Sequence, residues 1–369
     1  MRSRKKSLGL ISTVILLFNI LAIFALLLSY LAPVVKPQTF WPIAFLGIAY
    51  PVILGVNILF IFFWLFKKPK IALLSLVVIG IGWSALSKNI GVGRAANDQD
   101  GMDTSAIRVM SYNVQMFQGL KEDGAHSRKE TVDIIDSISP DVLCVQEFYT
   151  RARGASDMKK LFDSELNFQY SYFIPAAEND YDAYGIAIFS KYPIVDSGSL
   201  NVNRHERIVN RIVYADINKS GKNFRIYNVH LQSIGFDQQD YDYIKQGPGA
   251  GQNDVESTKR IGRRLKHAYL KRNEQVDILY SHTKTAPIPY IVAGDFNDTP
   301  LSYSVNKLAT GMTNAFVEKG KGWGVTYNGA FPNFQIDYIM ASQEFQVKNF
   351  HIVPKKLSDH YPIWSDLQL

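Results

Sequence analysis

The sequence has almost no cysteine, and its first quarter has no acidic residue. Cys144 is the only cysteine among 369 residues, so no disulfide can form within the chain and a zinc site built from several cysteines is excluded. Because Cys144 lies in the apolar run DVLCVQEF, we expect it to be a buried and inert thiol. The candidates for catalysis and metal binding are therefore side chains with oxygen or imidazole groups.

Three segments near the amino terminus lack charged residues altogether: 8–35, 41–66 and the shorter 71–87. Each meets or approaches the roughly 17 to 25 apolar residues with which a helix crosses a bilayer. We therefore predict that residues 1–87 form a membrane anchor with three transmembrane helices. A secretory signal peptide is the alternative for the first segment, but this segment is too long for a signal core and two more follow it.

The basic residues of the chain are concentrated in this anchor. Ten of the 40 basic residues and none of the 33 acidic residues lie in 1–94, so the remaining chain has three more acidic than basic residues. The basic pI is therefore no argument for nucleic-acid binding. Seven of the ten flank the start of the first segment or the end of the second, and they are Arg2, Arg4, Lys5, Lys6, Lys67, Lys68 and Lys70.

This charge distribution predicts the orientation of the anchor. Basic residues favour the cytoplasmic side, so we expect the amino terminus and the loop at 67–70 to be cytoplasmic. Three crossings then make the chain an integral protein of the cell (inner) membrane with an extracytoplasmic catalytic domain. If 71–87 lies in the membrane interface instead of spanning, the large domain is cytoplasmic.

The rest of the chain predicts a linker and one large domain. Residues 88–106, KNIGVGRAANDQDGMDTSA, are polar and small, which indicates a flexible linker. Between 107 and 369, apolar runs such as IRVMSYNV, YGIAIFS, RIVYADI and FQVKNFHIV alternate with polar loops, and helical periodicity crosses 259–280. Many strands with a few helices between them predict a mixed α/β domain with two packed sheets.

Oxygen-bearing and imidazole side chains recur where these apolar runs begin or end. The principal ones are Asn113, Glu147, His230, Asp295, Asn297, Asp337, Asp359 and His360. One polar strand end is ordinary, whereas six of them with carboxylates and carboxamides predict one convergent site. Such oxygen ligands suit a hard divalent cation, Mg²⁺ or Mn²⁺, which usually binds one or two carboxylates together with substrate phosphate oxygens.

The motifs SYNV, VQE, NVHLQS, GDFND, IDYI and SDHYPI, in this order, resemble the endonuclease/exonuclease/phosphatase superfamily with the deoxyribonuclease I-like fold. The resemblance covers residues 107–369. It implies a four-layer α/β sandwich, with two packed mixed β-sheets flanked by helices, that follows the three transmembrane helices. It also implies metal-dependent hydrolysis of phosphate esters.

The resemblance implies a role for each oxygen ligand. Glu147 is expected to be the principal metal ligand, aided by Asn113 and Asp359. Asp295 and Asn297 are expected to position the attacking water and the phosphate, and Asp295 is also a candidate ligand of a second metal. Asn113 is in addition a candidate contact of the substrate.

It also implies roles for the basic groups of the site. His360, oriented by Asp337, is expected to act as a base or to contact the phosphate. His230 is expected to protonate the leaving oxygen or to stabilise the charge that develops on it. Arg211 matches an arginine of the family that contacts the phosphate. Either the aspartate of GDFN, Asp295, or the final histidine removes the proton of the water, and the motifs leave both open.

These roles predict a phosphodiesterase, with nucleic acid as the first substrate expectation. HLQS is similar to neutral sphingomyelinases, and a membrane anchor brings lipid headgroups within reach, so a phospholipid or sphingomyelin phosphodiesterase is the alternative. A catalytically inactive binding or scaffold protein is a further alternative from a different class.

Overall fold

The computed structural model describes residues 8–93, 105–118, 124–154, 156–200, 211–246, 254–329 and 333–369. The chain divides into two compact units. The first comprises residues 1–88 with 301–303, and the second comprises 89–300 with 304–369.

The amino-terminal unit is helical. Its helices are α1 (Leu10–Ser29), α2 (Pro37–Phe40), α3 (Pro42–Ile48), α4 (Tyr50–Lys67), α5 (Pro69–Ile81) and α6 (Trp83–Asn89). Within the described residues, α1 and α4 are long and apolar enough to cross a membrane, and α5 with α6 makes a third span if this bent pair acts as one. The apolar helices suggest membrane anchoring.

These helices are shorter than the uncharged segments, and proline is the main reason. The helix of segment 8–35 ends at Ser29, because Pro33 has no N–H to donate to the carbonyl of Ser29 and so cannot continue the helix. The segment 41–66 is divided at Ala49, and α4 restarts with Pro51 in its first turn. The segment 71–87 bends by 69° between α5 and α6.

Buried polar side chains connect three of these helices. Asn19 of α1 donates to the hydroxyl of Ser75 of α5 at 2.8 Å, and Ser75 lies 3.3 Å from Oδ1 of Asn57 of α4. Asn57 also donates to the carbonyl of Ala22 at 3.0 Å. Hydrogen bonds of this kind satisfy polar groups among apolar helices and fix how the helices pack.

The second unit contains two larger sheets, a two-stranded ribbon and helices. The first sheet is built from β2 (Ala106–Asn113), β3 (Val142–Arg151), β4 (Tyr170–Glu178), β5 (Asp182–Ser190), β13 (Gln346–Val347), β14 (His351–Ile352) and β15 (Ile363–Gln368). The second is built from β6 (Ile194–Leu200), β7 (Ile212–Lys219), β8 (Lys222–His230), β9 (Tyr290–Asp295), β10 (Met312–Asn314) and β12 (Asp337–Ser342). The ribbon is built from β1 (Ile90–Val92) and β11 (Lys321–Trp323). The helices are α7 (Gly124–Ile138), α8 (Met158–Leu166), α9 (Gln238–Gln246), α10 (Asp254–Lys284), α11 (Tyr303–Leu308) and α12 (Ala315–Lys319).

Both larger sheets are mixed. The first has the order β13-β15-β2-β3-β5-β4, with β14 beside β15, and the second has the order β10-β12-β9-β8-β7-β6. The pairs β2/β3 and β8/β9 are parallel, and the other pairs are antiparallel. The parallel pairs matter for function because parallel strands deliver the residues at their carboxyl ends to the same edge of a sheet.

The two sheets pack face to face and are covered by helices on their outer faces. Side chains such as Val109 and Cys144 from the first sheet meet Ala215 and Ile226 from the second in one buried core. The outer face of the first sheet is covered by α7 and α8, and that of the second by α10 and α11. The expected α/β fold with two mixed sheets flanked by helices is confirmed, and Cys144 is fully buried as predicted.

The described part of the predicted linker, 88–106, is structured. Residues 90–92 form β1, which pairs antiparallel with β11, and the N–H of Gly93 donates to the carbonyl of Gly320 at 2.9 Å. Glycines permit this close approach, because a Cβ atom on Gly91 would collide with the carbonyl oxygen of Gly320. Residues 94–104 lie outside the described part of the chain, and flexibility there stays a prediction.

Candidate active site

Strand ends bring the predicted site residues to one edge of the sandwich. In the first sheet, Asn113 ends β2 and lies level with Gln146 of the parallel strand β3. In the second sheet, His230 ends β8 and is paired with Asp295, the last residue of the parallel strand β9. Asp295 is also paired with Asp337, the first residue of the antiparallel strand β12.

A β-bulge in β3 positions Glu147. The register between β3 and β5 shifts between Val145 and Phe148, and Glu147 has a left-handed backbone with a φ of 53°. Such a conformation costs a non-glycine residue about 1–3 kcal/mol and is typical of functional sites. Gln146 is fully buried, whereas the side chain of Glu147 is 25 % exposed. The bulge therefore leaves the Glu147 carboxylate accessible.

Asp295 is held by a dense set of hydrogen bonds. The backbone N–H of Asn297 donates to Oδ1 of Asp295 at 2.7 Å, and Nδ2 of Asn297 donates to Oδ2 at 3.1 Å. Nδ2 of Asn113 donates to the same Oδ2 at 3.1 Å. Burial raises the pKa of Asp295 to about 6, against the opposing effect of His360 and His230. Asp295 is therefore a fixed, buried carboxylate.

His360 is paired with Asp337. Its Nδ1 lies 2.9 Å from Oδ2 of Asp337, and its Nε2 lies 3.7 Å from Oδ2 of Asp295. Burial disfavours the charged imidazole, but Asp337, Asp295 and Asp359 together outweigh burial and raise the pKa of His360 to about 10. The bond to Asp337 fixes the ring, so that Nε2 is directed at Asp295. The buried carboxylate of Asp337 therefore has His360 as its partner.

His230 lies beside the same oxygen of Asp295. Its Nε2 is 3.7 Å from Oδ2 of Asp295 and 3.9 Å from Oε1 of Glu147. Burial lowers the pKa of His230, and the attraction of Asp295 offsets this only in part. At neutral pH these shifts favour a protonated His360, whose pKa is raised, and a neutral His230, whose pKa is lowered.

Asp359 contributes a second partly exposed carboxylate. The hydroxyl of Ser358 lies 2.7 Å from the carbonyl of Asn113 and 3.2 Å from Oδ1 of Asp359, which ties the turn before β15 to the end of β2. Burial and the negative charge of Asp359 both raise the pKa of Glu147. Carboxylates held close enough to repel one another are an arrangement that a bound cation relieves.

Several of these residues could hold a metal ion. The ligand atoms of Asp295, Asp337 and His360 all lie within 4.8 Å of one another and form a buried group. Within this group, however, Nδ1 of His360 is already engaged by Asp337. The accessible oxygens of Glu147 and Asp359 are the donors that a hard divalent cation prefers. The donor set of the edge therefore suits such a cation.

Arg211 lies beside His230 through the backbone. The N–H of His230 donates to the carbonyl oxygen of Arg211 at 2.9 Å, and Arg211 directly precedes β7. This position brings the start of β7 next to a predicted catalytic residue. The contact between the guanidinium of Arg211 and a phosphate stays a prediction.

A buried ion pair that sequence reasoning missed supports the loop after β9. Nε of Arg272, on α10, donates to Oδ2 of Asp298 at 3.0 Å, and Nη1 donates to the carbonyl of Gln232 at 3.0 Å. Arg272 is 1 % exposed and Asp298 is 3 % exposed. The hydroxyl of Tyr338 donates to the carbonyl of Asp298 at 3.0 Å. In the sequence Arg272 is one of several basic residues of one helix, and only the fold distinguishes it.

An aromatic group borders His360 and was also missed. The ring of Tyr327 packs edge-on against His360 with 5.3 Å between centroids, and its hydroxyl interacts with Tyr241 of α9. Tyr241 packs against Phe236 at 5.7 Å. Asp240, which is fully buried, forms salt bridges with arginines of α10 at 2.7 and 3.0 Å and so fixes α9. No motif in the sequence marked these aromatic residues.

Gly294 makes the close packing of β8 and β9 at this edge possible. Its φ is +147°, and a Cβ atom there would collide with the carbonyl oxygen of Val229. We expect Gly294→Ala to destabilise the protein by about 2–5 kcal/mol through strain and overpacking. For a domain of this size, the melting temperature falls by roughly 2–4 °C per kcal/mol, which circular dichroism of the full chain in detergent measures.

Gly262→Ala is the matched control for this prediction. Gly262 lies inside α10, and a Cβ atom there meets nothing within 4 Å. Alanine is favoured over glycine in a helix, so the melting temperature should stay unchanged or rise slightly. Equal melting temperatures for the Gly294 variant and the native chain would contradict the close packing of β8 against β9 at Gly294.

Comparison with known proteins identifies the class to which this site belongs. Residues 110–360 match the model of the Endonuclease/Exonuclease/phosphatase family. The match covers most of the chain, and the protein belongs to this family of metal-dependent phosphoesterases, whose members typically use a divalent metal ion. Residues 12–89 match a family described as a domain of unknown function (DUF8431). No curated protein matches the chain significantly.

Solved structures share the fold at low sequence identity. An endonuclease/exonuclease/phosphatase from Beutenbergia cavernae is 18 % identical, with a TM-score of 0.51 over 72 % of each chain. The human Nocturnin catalytic domain with a bound sulfate anion is 18 % identical, with a TM-score of 0.51 over 76 % of this chain and 97 % of that one. D. rerio TDP2 complexed with a single-strand DNA product is 16 % identical, with a TM-score of 0.50 over 72 % of this chain and 100 % of that one.

Proposed function

We propose that the protein is a membrane-anchored phosphodiesterase that hydrolyses nucleic acid with the help of Mg²⁺ or Mn²⁺. The observation that carries this proposal is the meeting of the accessible carboxylate of Glu147 with two buried imidazoles around Asp295 at one edge of the sandwich. Carboxylates that can hold a cation and accept a proton, beside imidazoles that can contact the phosphate and the leaving oxygen, are the parts that phosphate-ester hydrolysis requires.

The carboxylates at this edge of the two sheets hold the cation. Glu147 and Asp359 supply negative charge, with Asn113 and Asp295 beside them. When bound, a divalent cation polarises the phosphoryl group and neutralises charge that develops during in-line attack. Asn113 also serves as a contact of the phosphate through its carboxamide.

Asp295 and the imidazoles of His360 and His230 activate the water and bind the phosphate. Asp337 holds His360 with Nε2 directed at Asp295. Because the pKa of His360 is raised, its protonated imidazole contacts the phosphate, and the carboxylate of Asp295 accepts the proton of the attacking water. Asn297, which is fixed by its bonds to Asp295, positions this water and the phosphate. His230, whose pKa is lowered, donates a hydrogen bond from its neutral imidazole to the leaving oxygen and stabilises the charge that develops there, and this oxygen then takes a proton from solvent water.

Two observations bear on the substrate. D. rerio TDP2, which shares the fold, has been seen with a single-strand DNA product, and this supports nucleic acid for the present chain. The apolar helices α1 and α4 suggest membrane anchoring and favour a lipid phosphodiester as the second candidate. A scaffold without catalysis is disfavoured, because the edge retains a complete set of carboxylates and imidazoles.

Hydrolysis by the full chain in detergent micelles tests the proposal. Plasmid DNA, RNA, sphingomyelin and bis-p-nitrophenyl phosphate are offered with Mg²⁺, with Mn²⁺ and with EDTA. We expect DNA or RNA and the generic diester to be cleaved with metal and left intact with EDTA. Cleavage of sphingomyelin alone would support the lipid candidate, and activity on none of the four would support the scaffold.

Metal binding should also stabilise the fold without any turnover. A ligand at 100 times its dissociation constant adds about 2.7 kcal/mol to the free energy of unfolding. We therefore expect Mg²⁺ or Mn²⁺ to raise the melting temperature of the native chain, as the repulsion between Glu147 and Asp359 is relieved. Glu147→Gln should lose this shift, whereas Glu165→Gln, an exposed change on α8, should keep it. A shift that survives in the Glu147 variant would contradict the assigned site.

We further propose that residues 1–87 span the membrane three times and that residues 107–369 form an extracytoplasmic catalytic domain. The flanking basic residues support this orientation. A reporter that is active only outside the cytoplasm, fused after Leu369, should be active. An active cytoplasmic reporter at the same position would instead mean that α5 and α6 together do not cross the membrane.

A further inference from the structure

The ribbon of β1 and β11 has one amphipathic face. Ile90 is paired with Trp323 and Val92 with Lys321, so these four side chains share a face, while Gly91 and Gly322 lie between them. Val92 is 76 % exposed and Trp323 is 55 % exposed. An exposed tryptophan and valine beside a lysine is the composition of a membrane–water interface.

A pocket of about 360 Å³ opens beside this ribbon. Buried Phe316 and Phe350 contribute apolar surface, and Trp323 and Tyr361 also line it. The pocket is further lined by Lys319, Lys321, Val325, His351, Ile352 and Pro354. It therefore combines an apolar surface with cationic groups, which suits an amphiphilic anion.

Positive charge prevails around this pocket. Lys319 and Lys321 line it, and exposed Lys355 and Lys356 directly follow Pro354 in the chain. Glu318 lies 4.0 Å from the ammonium group of Lys319 and offsets one of these charges. Basic residues near a bilayer surface are each attracted to anionic lipid.

Chain connectivity joins the ribbon to the helix pair of α5 and α6, which together are apolar enough to cross a membrane. β1 begins at Ile90, directly after α6 ends at Asn89, and neighbouring Cα atoms are about 3.8 Å apart. We propose that the ribbon face and the pocket beside it form a binding site for the headgroup of an anionic phospholipid of the membrane. The headgroup phosphate contacts Lys319 and Lys321, and the glycerol and upper acyl chain contact Trp323 and Val92.

Native mass spectrometry of the full chain in an uncharged detergent tests this site. Phosphatidylglycerol, phosphatidylcholine or inorganic phosphate is added to the native protein and to the double variant Lys319→Gln/Lys321→Gln. We expect the native protein to bind the first phosphatidylglycerol about tenfold or more tightly than phosphatidylcholine, since two cationic side chains contribute. The double variant should lose this preference, and Lys319→Arg/Lys321→Arg should retain it.

Lys129→Gln/Lys159→Gln, which removes two lysines of α7 and α8, is the matched control and should bind like the native protein. Equal binding of both lipids by the native protein, or a preference that persists in Lys319→Gln/Lys321→Gln, would overturn the proposal. An adduct with inorganic phosphate that depends on the same lysines would overturn it in favour of a general anion site. Diester hydrolysis should be unchanged in the double variant, so this result and the catalytic proposal can fail separately.

Discussion

Glu147→Gln should lower kcat/KM for a phosphodiester by about 10³-fold or more. The glutamine keeps the size of the side chain but removes the accessible charge that the bulge in β3 presents. Stabilisation of phosphoryl charge by a metal is worth several kcal/mol, and each 1.36 kcal/mol is a tenfold change in rate. Steady-state hydrolysis of bis-p-nitrophenyl phosphate by the full chain, with saturating Mg²⁺, measures the change.

The fold should survive this substitution. Burial and Asp359 raise the pKa of Glu147, so the native carboxylate is under repulsion and its neutral replacement should leave the melting temperature without metal equal or higher. Glu165→Gln on α8 is the control for activity and should leave kcat/KM unchanged. If the Glu147 variant stayed within tenfold of the native chain, Glu147 would not be the principal ligand.

Asp337→Asn should lower kcat by about 10²–10³-fold. Asp337 lies 2.9 Å from Nδ1 of His360, and the carboxylate both orients the ring and stabilises its protonated form. An amide can do neither in the same way, and removing one fixed group that stabilises charge in the transition state costs about 10²–10³-fold in kcat. His360→Ala should give a loss of similar size. The double variant should be little worse than either single one, because the two residues act as a unit.

Asp216→Asn provides the control for Asp337→Asn. Asp216 is a buried acid of β7 that accepts hydrogen bonds from Arg225 at 2.6 and 2.8 Å, away from the strand ends that carry the site. Its replacement should reduce stability, since it leaves a buried arginine with a weaker partner, and should leave kcat nearly unchanged. A loss of kcat as large as that of Asp337→Asn would mean that the effect on His360 is merely structural.

The strands that the sequence reveals are those with a long apolar run. β2, β3, β8 and β9 are central strands with nearly continuous burial, and each coincides with such a run. β4 and β6 lie at the sheet edges, where most side chains are partly exposed, and neither strand was predicted. An edge strand needs no continuous apolar pattern, so its sequence resembles that of a loop.

The run FQVKNFHIV shows a second limit. It was predicted as one strand, but it forms the short strands β13 and β14, both beside β15. Between them, the side chain of Asn349 bonds Asp366 of β15 through Nδ2 at 2.8 Å and accepts the N–H of Asp366 at 2.7 Å. A polar side chain here takes the place of backbone pairing, and a hydrophobic pattern cannot show such a contact.

The candidate site was accessible to sequence reasoning because its residues end strands. Asn113, Glu147, His230 and Asp295 each occupy the end or the bulge of an apolar run, and parallel pairing brings such positions together. The supporting contacts were not accessible in this way. Arg272 of α10 and Asp298 of the loop after β9 are 26 residues apart, and only the packing of α10 on the second sheet brings them into contact.

Anomalous diffraction from crystals of the full chain grown with Mn²⁺ tests the central claim most directly. A metal peak should lie about 2 Å from a carboxylate oxygen of Glu147, on the side of Asp359, and within reach of the edge that carries His230 and His360. The same crystals of Glu147→Gln should lack this peak. Metal peaks elsewhere in the native crystals, with none at this edge, would contradict the assignment of the strand ends as a cation-binding catalytic site.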